Sequence, residues 1–188
     1  MSNHICPWWV GYILASPIRR LFQDPEKILG PYIEEGMKVL DFGCAMGFFS
    51  LPSARMAGRE GRVVCIDLQE KMIRSLKKRA ARAGLSDRIE TRVCTKNSFG
   101  TEDIAGEIDF ALAIAVVHEV PDRNGLFSSL HETLNPGGRL LVVEPTGHVT
   151  AEDFSETVSA AWSAGFKVID RPEVKRSLAV LLSKRSQP

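Results

Sequence analysis

The chain has 188 residues, 44% of them hydrophobic and 25% charged, with 24 Lys and Arg balanced by 23 Asp and Glu for a net charge of +1. That is enough chain for one domain of ordinary size with a real core, and too little net charge to advertise nucleic acid or an anionic membrane as partner. No apolar run reaches the ~18–20 residues that span a bilayer.

Four cysteines, Cys6, Cys44, Cys65 and Cys94, are spaced unlike any CxxC zinc or redox pair and read as reduced thiols of a cytoplasmic protein. The apolar stretch from Trp8 to Ala15 is short, and its basic pair Arg19-Arg20 comes after it, the wrong order for a secretory signal. The segment 1–35 is expected to be helical. Cys6-Pro7-Trp8-Trp9 opens its aromatic part, and either this part packs on the flank of the fold or it forms a lid that turns Trp8, Trp9 and Tyr12 towards an apolar substrate. Asp24-Pro25 reads as an N-cap and first turn, with a helix expected to about Glu34.

The stretch Val39-Leu40-Asp41-Phe42-Gly43-Cys44-Ala45-Met46-Gly47 organises the remainder of the chain. It reads as a buried strand from Met37 to Asp41, a tight turn of small residues, and a helix over Phe48 to Ala57. Small residues at 43, 45 and 47 let bare backbone approach a ligand. A carboxylate at the strand end suits a cationic or hydrogen-bond-donating ligand and would repel a pyrophosphate. A second apolar strand, Arg62 to Asp67, again closes on an acid. Next comes a helix from Gln69 to Ala83, with Arg74, Lys77, Lys78, Arg79 and Arg82 expected on its solvated face. Ile89 to Cys94 and Ile108 to Ala115 are the third and fourth strands. A helix is expected over 125–134, then a turn at Asn135-Pro136-Gly137-Gly138 and a fifth strand from Arg139 to Glu144. Thr150 and Asp153 announce a capped helix to Ala164, and two short strands, Phe166 to Asp170 and Ser177 to Leu182, end the chain. Alternating strands and helices imply an α/β fold around a doubly wound, mainly parallel sheet, with ligands at the carboxyl ends of the strands.

Asp67 lies twenty residues beyond Gly47, where nucleotide-binding folds of this kind place the acid that holds ribose hydroxyls. On these residues, the span from about Met37 to Leu182 resembles the class I S-adenosylmethionine-dependent methyltransferases, and within them the small-molecule branch of the ubiquinone/menaquinone and arsenite enzymes. Asp41, Gly43 and Gly47 match the family's first motif, with Ala45 where a glycine is usual. Asp67 matches the ribose acid. Asp109 and the run Asn135-Pro136-Gly137-Gly138-Arg139-Leu140 match two later signposts. The resemblance implies a Rossmann-like sheet of seven strands with the last antiparallel, a methyltransferase domain over 36–184, and S-adenosylmethionine as cofactor. It also implies a cofactor-binding set of Asp41, Gly43, Cys44, Ala45, Gly47, Asp67, Leu68, Thr95 and Ala115. One departure stands after the third strand, where relatives often carry an acid for the adenine amino group. Here the sequence is Val93-Cys94-Thr95-Lys96-Asn97, which leaves Thr95, Asn97 or backbone groups for that task.

Methyl transfer from a sulfonium needs positioning and exclusion of water above all, and a base only when the acceptor must lose a proton. His118, in Val117-His118-Glu119 after the fourth strand, is the candidate base, with Glu119 as its expected orienter and a loop-holding role as the alternative. His148, after the fifth strand, is expected at the substrate rim. His4 and Cys6 reach a site only if the N-terminal segment folds over it. A soft-metalloid thiol site built from Cys6, Cys44 and Cys94 is a lesser alternative, because Cys44 in the turn reads first as a backbone contributor; no metal centre is expected. The loop after the fourth strand lacks the Asp/Asn-Pro-Pro-aromatic motif of nucleic-acid amino methylation and the Pro-Cys of cytosine methylation, which leaves a small, apolar or aromatic acceptor and no nucleic acid. A nicotinamide-dependent oxidoreductase would need Gly-x-Gly-x-x-Gly after the first strand, which is absent. A non-catalytic S-adenosylmethionine or S-adenosylhomocysteine binder, a sensor or partner subunit, remains the alternative function.

Overall fold

The computed structural model describes residues 23–95 and 98–185. The expectations for His4, Cys6, Trp8, Trp9, Tyr12 and Asn97, and for the lid itself, lie outside the described residues. The described chain divides into two compact units, 23–100 and 101–185.

The first unit opens with α1 (Pro25–Leu29), capped by Asp24, whose carboxylate accepts the Glu26 N–H at 3.1 Å. The helix is shorter than the sequence suggests because Pro31 has no N–H to continue the ladder. Three parallel strands come next: β1 (Lys38–Phe42), β2 (Arg62–Asp67) and β3 (Ile89–Val93), with β2 in the middle. β1 runs one residue past the expected end, since Phe42 still pairs with Ile66. Asp41 is therefore inside the strand and 3% exposed, not a terminal residue. The helix α2 (Ser50–Met56) starts two residues later than expected, because Phe48 and Phe49 are buried in the turn with their rings edge to face at 5.0 Å. Pro52 falls in its first turn, where the missing N–H has no partner to lose. The helix α3 (Glu70–Arg82) buries Met72, Ile73, Leu76 and Ala80 at i, i+1, i+4 and i+8 spacing, one apolar stripe of a 3.6-residue period.

The second unit contains β4 (Ile108–Ile114), a 3₁₀ turn at Val117–Glu119 that the sequence did not announce, α4 (Arg123–Thr133), β5 (Leu134–Pro145), α5 (Ala151–Ser163), β6 (Phe166–Asp170) and β7 (Ser177–Lys184). β4 and β5 are parallel, and β7 runs antiparallel to both β5 and β6. The segment Asn135-Pro136-Gly137-Gly138 is not a free turn. It bulges within β5: Ile108 pairs with Leu134, and two residues later Phe110 pairs with Arg139. Asn135 Nδ2 donates to Asp109 Oδ1 at 2.6 Å across this bulge, so both later signposts of the sequence belong to one structural lock. Thr150 and Asp153 form the reciprocal capping box expected for α5. The strands take the order β3-β2-β1 in the first unit and β4-β5-β7-β6 in the second, seven strands of the mainly parallel α/β class with an antiparallel last strand. Among the described residues no helix is long and apolar enough to cross a membrane.

Candidate active site

In the first unit the glycine turn is tied to its own sheet. Gly43 and Cys44 both donate their N–H to Ile66 O, at 2.9 and 3.0 Å, and Gly47 N–H donates to Cys44 O at 2.9 Å. Asp41 accepts from Ser50 Oγ at 2.5 Å, which links the strand to the start of α2. Ala45, the residue standing where relatives have glycine, adopts a left-handed φ of +46°. The side-chain methyl is tolerated there only against the intrinsic preference of an L-residue. Its N–H donates to Asp67 Oδ2 at 2.9 Å, and Gln69 N–H donates to Asp67 Oδ1 at 2.8 Å. The acid at the end of β2 thus clamps the turn at the end of β1. Burial pushes the Asp67 carboxyl above its ordinary range, against the two N–H donors that lower it. A carboxylate has about four lone-pair sites, so two remain for donors such as the two hydroxyls of a ribose, and those donors would offset the cost of burial.

Two further residues shape this cradle. Arg79 is not a solvated member of α3. Its guanidinium is half-buried, burial lowers its pKa, and its Nη1 donates to Met46 O at 2.5 Å, holding the turn from the helix side. Leu68, beside the acid, keeps 38% of its surface exposed, an apolar face next to a hydrogen-bonding carboxylate. Thr95 is exposed, and its N–H bonds to Ser98 O at 2.9 Å. Cys44 and Cys94 are buried and poor thiolate candidates. Burial, then a hydrogen bond from Cys65, lifts Cys44 well above the usual thiol range, and burial pushes Cys94 up to about 11. Among the described residues no group of three or more His, Cys, Asp or Glu stands close enough to hold a metal ion.

The second unit carries a separate cluster at the carboxyl ends of β4 and β5. Ala115 closes β4 with a left-handed φ of +57°, its N–H on Val143 O at 2.7 Å, and sends the chain sharply into the 3₁₀ turn. Such strained non-glycine positions collect at functional sites. Glu144, 1% exposed, accepts the N–H groups of Val116 and Val117 on Oε1, at 3.2 and 2.8 Å. Its Oε2 takes a short contact with His118 Nδ1. Glu119, the expected orienter, is 4.0 Å from His118 Nε2, beyond hydrogen-bond reach. Glu144 holds His118 instead, because β5 brings it up beside the turn with Oε2 on the ring nitrogen Nδ1. The His148 ring stacks on His118 with centroids 5.7 Å apart and planes 25° apart. The hydrogen bond to Glu144 raises the His118 pKa above its usual value, against a lowering by burial. The sequence reading missed Glu144, though its signal, an acid closing an apolar strand, is the one that marked Asp67. A depression of about 660 Å³ in this unit is lined by Phe154, Arg171, Glu173, Lys175 and Leu178, and neither histidine borders it.

A family model described as a methyltransferase domain matches residues 33–176. The ubiquinone biosynthesis O-methyltransferase of Caulobacter sp. (strain K31) is 34% identical over 108 residues, 57% of this chain and 40% of that one. The tRNA 5-carboxymethoxyuridine methyltransferase of Escherichia coli (strain K12) is 28% identical over 128 residues, 68% of this chain and 48% of that one. The chain spans 40% to 50% of the length of the first curated relatives it matches. A crystal structure of an S-adenosylmethionine-dependent methyltransferase from Aquifex aeolicus superposes with a TM-score of 0.85 at 25% identity, over 95% of this chain and 99% of that one. An acid-clamped glycine turn, a seven-stranded order ending in an antiparallel strand and a family match over most of the chain agree with one another, and the chain belongs to the class I S-adenosylmethionine-dependent methyltransferases.

Proposed function

We propose that the protein transfers a methyl group from S-adenosylmethionine to a small apolar or aromatic acceptor. The observation that carries this reading is the clamp of Asp67 on Ala45, which forms a tight backbone cradle next to a carboxylate with unused lone pairs. In this reading Asp41, Gly43, Cys44, Ala45 and Gly47 receive the methionine end. Asp67 takes the ribose hydroxyls, Leu68 lies against the adenine, and Thr95 completes the cofactor's surroundings. The cofactor supplies an activated methyl on a sulfonium, and the chain's own groups bind, orient and exclude water.

The quinone-pathway relative supports an aromatic acceptor. The tRNA-acting relative shows that the same family also reaches nucleic acid, but the net charge of +1 gives no field to gather a phosphate backbone. Titration calorimetry with S-adenosylmethionine and S-adenosylhomocysteine tests the cofactor assignment. Hydrogen bonds to a charged group contribute about 1.5–3 kcal/mol each, so Asp67→Ala should weaken binding at least ~10-fold. Saturable binding that is indifferent to Asp67→Ala overturns the assignment.

A further inference from the structure

The turn after β1 is held at three consecutive residues, each by a different anchor from β2 or α3. Ala45 N–H donates to Asp67 Oδ2 at 2.9 Å. Met46 O accepts from Arg79 Nη1 at 2.5 Å. Gly47 abuts Leu76, whose Cδ1 would lie 2.3 Å from a Cβ at that position. Leu76 and Arg79 are three residues apart on α3 and so share one face of the helix. The other basic residues of α3, Lys71, Arg74, Lys77, Lys78 and Arg82, are exposed, whereas Arg79 is half-buried against the turn.

These bonds join end to end. Met46 O and Gly47 N–H belong to one peptide group, and that N–H donates to Cys44 O at 2.9 Å. Cys44 O and Ala45 N–H belong to another, and that N–H donates to Asp67 Oδ2. A guanidinium therefore opens, and a carboxylate closes, a chain of three hydrogen bonds that runs through two peptide groups in one direction. A peptide whose oxygen accepts a bond becomes a better donor at its own N–H, a strengthening of about 10–30% per bond. Charged groups at both ends add to it. The chain acts against strain, since Ala45 holds a left-handed φ of +46° that an L-residue keeps only while its surroundings enforce it. Without the cation the turn is free to relax, and Asp67 keeps a firm partner on Oδ1 alone, the Gln69 N–H at 2.8 Å.

We propose that Arg79 is a positioning residue for cofactor binding: acting through the peptide groups of Met46 and Cys44, it steadies the Asp67 carboxylate in the orientation that receives the ribose hydroxyls. The inference rests on the S-adenosylmethionine reading of the turn and adds to it a residue that works through the backbone. Its effect passes through Asp67, so it vanishes when that carboxylate is gone.

The test uses the full chain, calorimetric titration with S-adenosylhomocysteine, and NMR of the Ala45 and Gly47 amides. Wild type is compared with Arg79→Met, Arg79→Lys and, as a control of equal charge change, Arg74→Met, which sits exposed on the same helix with its guanidinium 3.4 Å from Glu70. Arg79→Met should weaken binding about 5-fold or more, and Arg74→Met by less than about 2-fold, since members of one hydrogen-bond network couple and distant groups do not. Arg79→Lys keeps a cationic donor and should recover part of the loss. Made on top of Asp67→Ala, Arg79→Met should cost less than about 2-fold further. The amide protons of Gly47 and Ala45 should both move upfield in Arg79→Met as their hydrogen bonds weaken. If Arg79→Met does not fold, Arg79→Lys carries the test, with an intermediate affinity and a partial upfield shift of both amides. Equal affinities of the Arg79 and Arg74 variants, a full additional loss in the Asp67→Ala background, or an unmoved Ala45 amide overturns the proposal. Binding that is lost in Asp67→Ala yet indifferent to Arg79 overturns this inference alone. Wild type that binds no S-adenosylhomocysteine brings down the cofactor assignment and the inference with it.

Discussion

Replacing Gly47 by alanine tests how tightly the cofactor turn is packed. Gly47 has φ +81°, and a Cβ built on it would sit 2.3 Å from Leu76 Cδ1 and 3.6 Å from Leu51 Cγ. Leu76 is fully buried on α3, so its methyl cannot step aside into solvent. The left-handed backbone costs an alanine about 1–2 kcal/mol, and overpacking a filled core costs about 1–3 kcal/mol more. Gly47→Ala should thus destabilise by about 2–5 kcal/mol, and at ~2–4 °C per kcal/mol for a chain of this size the melting temperature should fall visibly. Leu76→Ala alone should cost about 2–5 kcal/mol by leaving a cavity. The double variant removes the clash and partly fills the cavity, so its loss should fall short of the sum by about 1–3 kcal/mol. Urea unfolding of the four proteins, read at constant m, measures this coupling. Additivity within about 0.5 kcal/mol would show that the turn and α3 do not press on each other at this point.

Ala45→Gly acts in the opposite direction. At φ +46° the alanine carries strain that glycine lacks, and after the larger entropy of the unfolded glycine chain a net gain of about 0.5–1 kcal/mol is expected; an unchanged or lower urea midpoint refutes the strain. The His118–Glu144 pair gives a pH signature. Because the folded pKa of His118 is raised from 6.5, chiefly by the bond to Glu144, its contribution to stability is fully present below about pH 6.5 and is lost as pH rises through the folded value. The stability difference between wild type and His118→Gln should therefore shrink with rising pH above 6.5 and then level off, and a difference flat across that window contradicts the pairing.

The sequence by itself determined the class of the fold and the pattern of small residues and acids at the ends of β1 and β2. Buried parallel strands are near-continuous apolar runs, and the runs at 62–67 and 108–114 show as such. The acid-glycine pattern from Asp41 to Gly47 and the acid at 67 are local features, set by what a tight turn and a strand end require. Tertiary structure decided the rest, because it rests on partners far apart in the chain. Arg79 is indistinguishable from its basic neighbours on α3 until the turn at Met46 comes within reach of it, 33 residues away. Asp109 and Asn135 become a lock only once β4 and β5 pair across the bulge. Glu119 is the sequence neighbour of His118, yet the partner is Glu144, 26 residues on. Adjacency in sequence within the 3₁₀ turn leaves the Glu119 carboxylate 4.0 Å from the imidazole, whereas the adjacent parallel strand delivers its terminal acid to the same carboxyl edge, within reach of the ring.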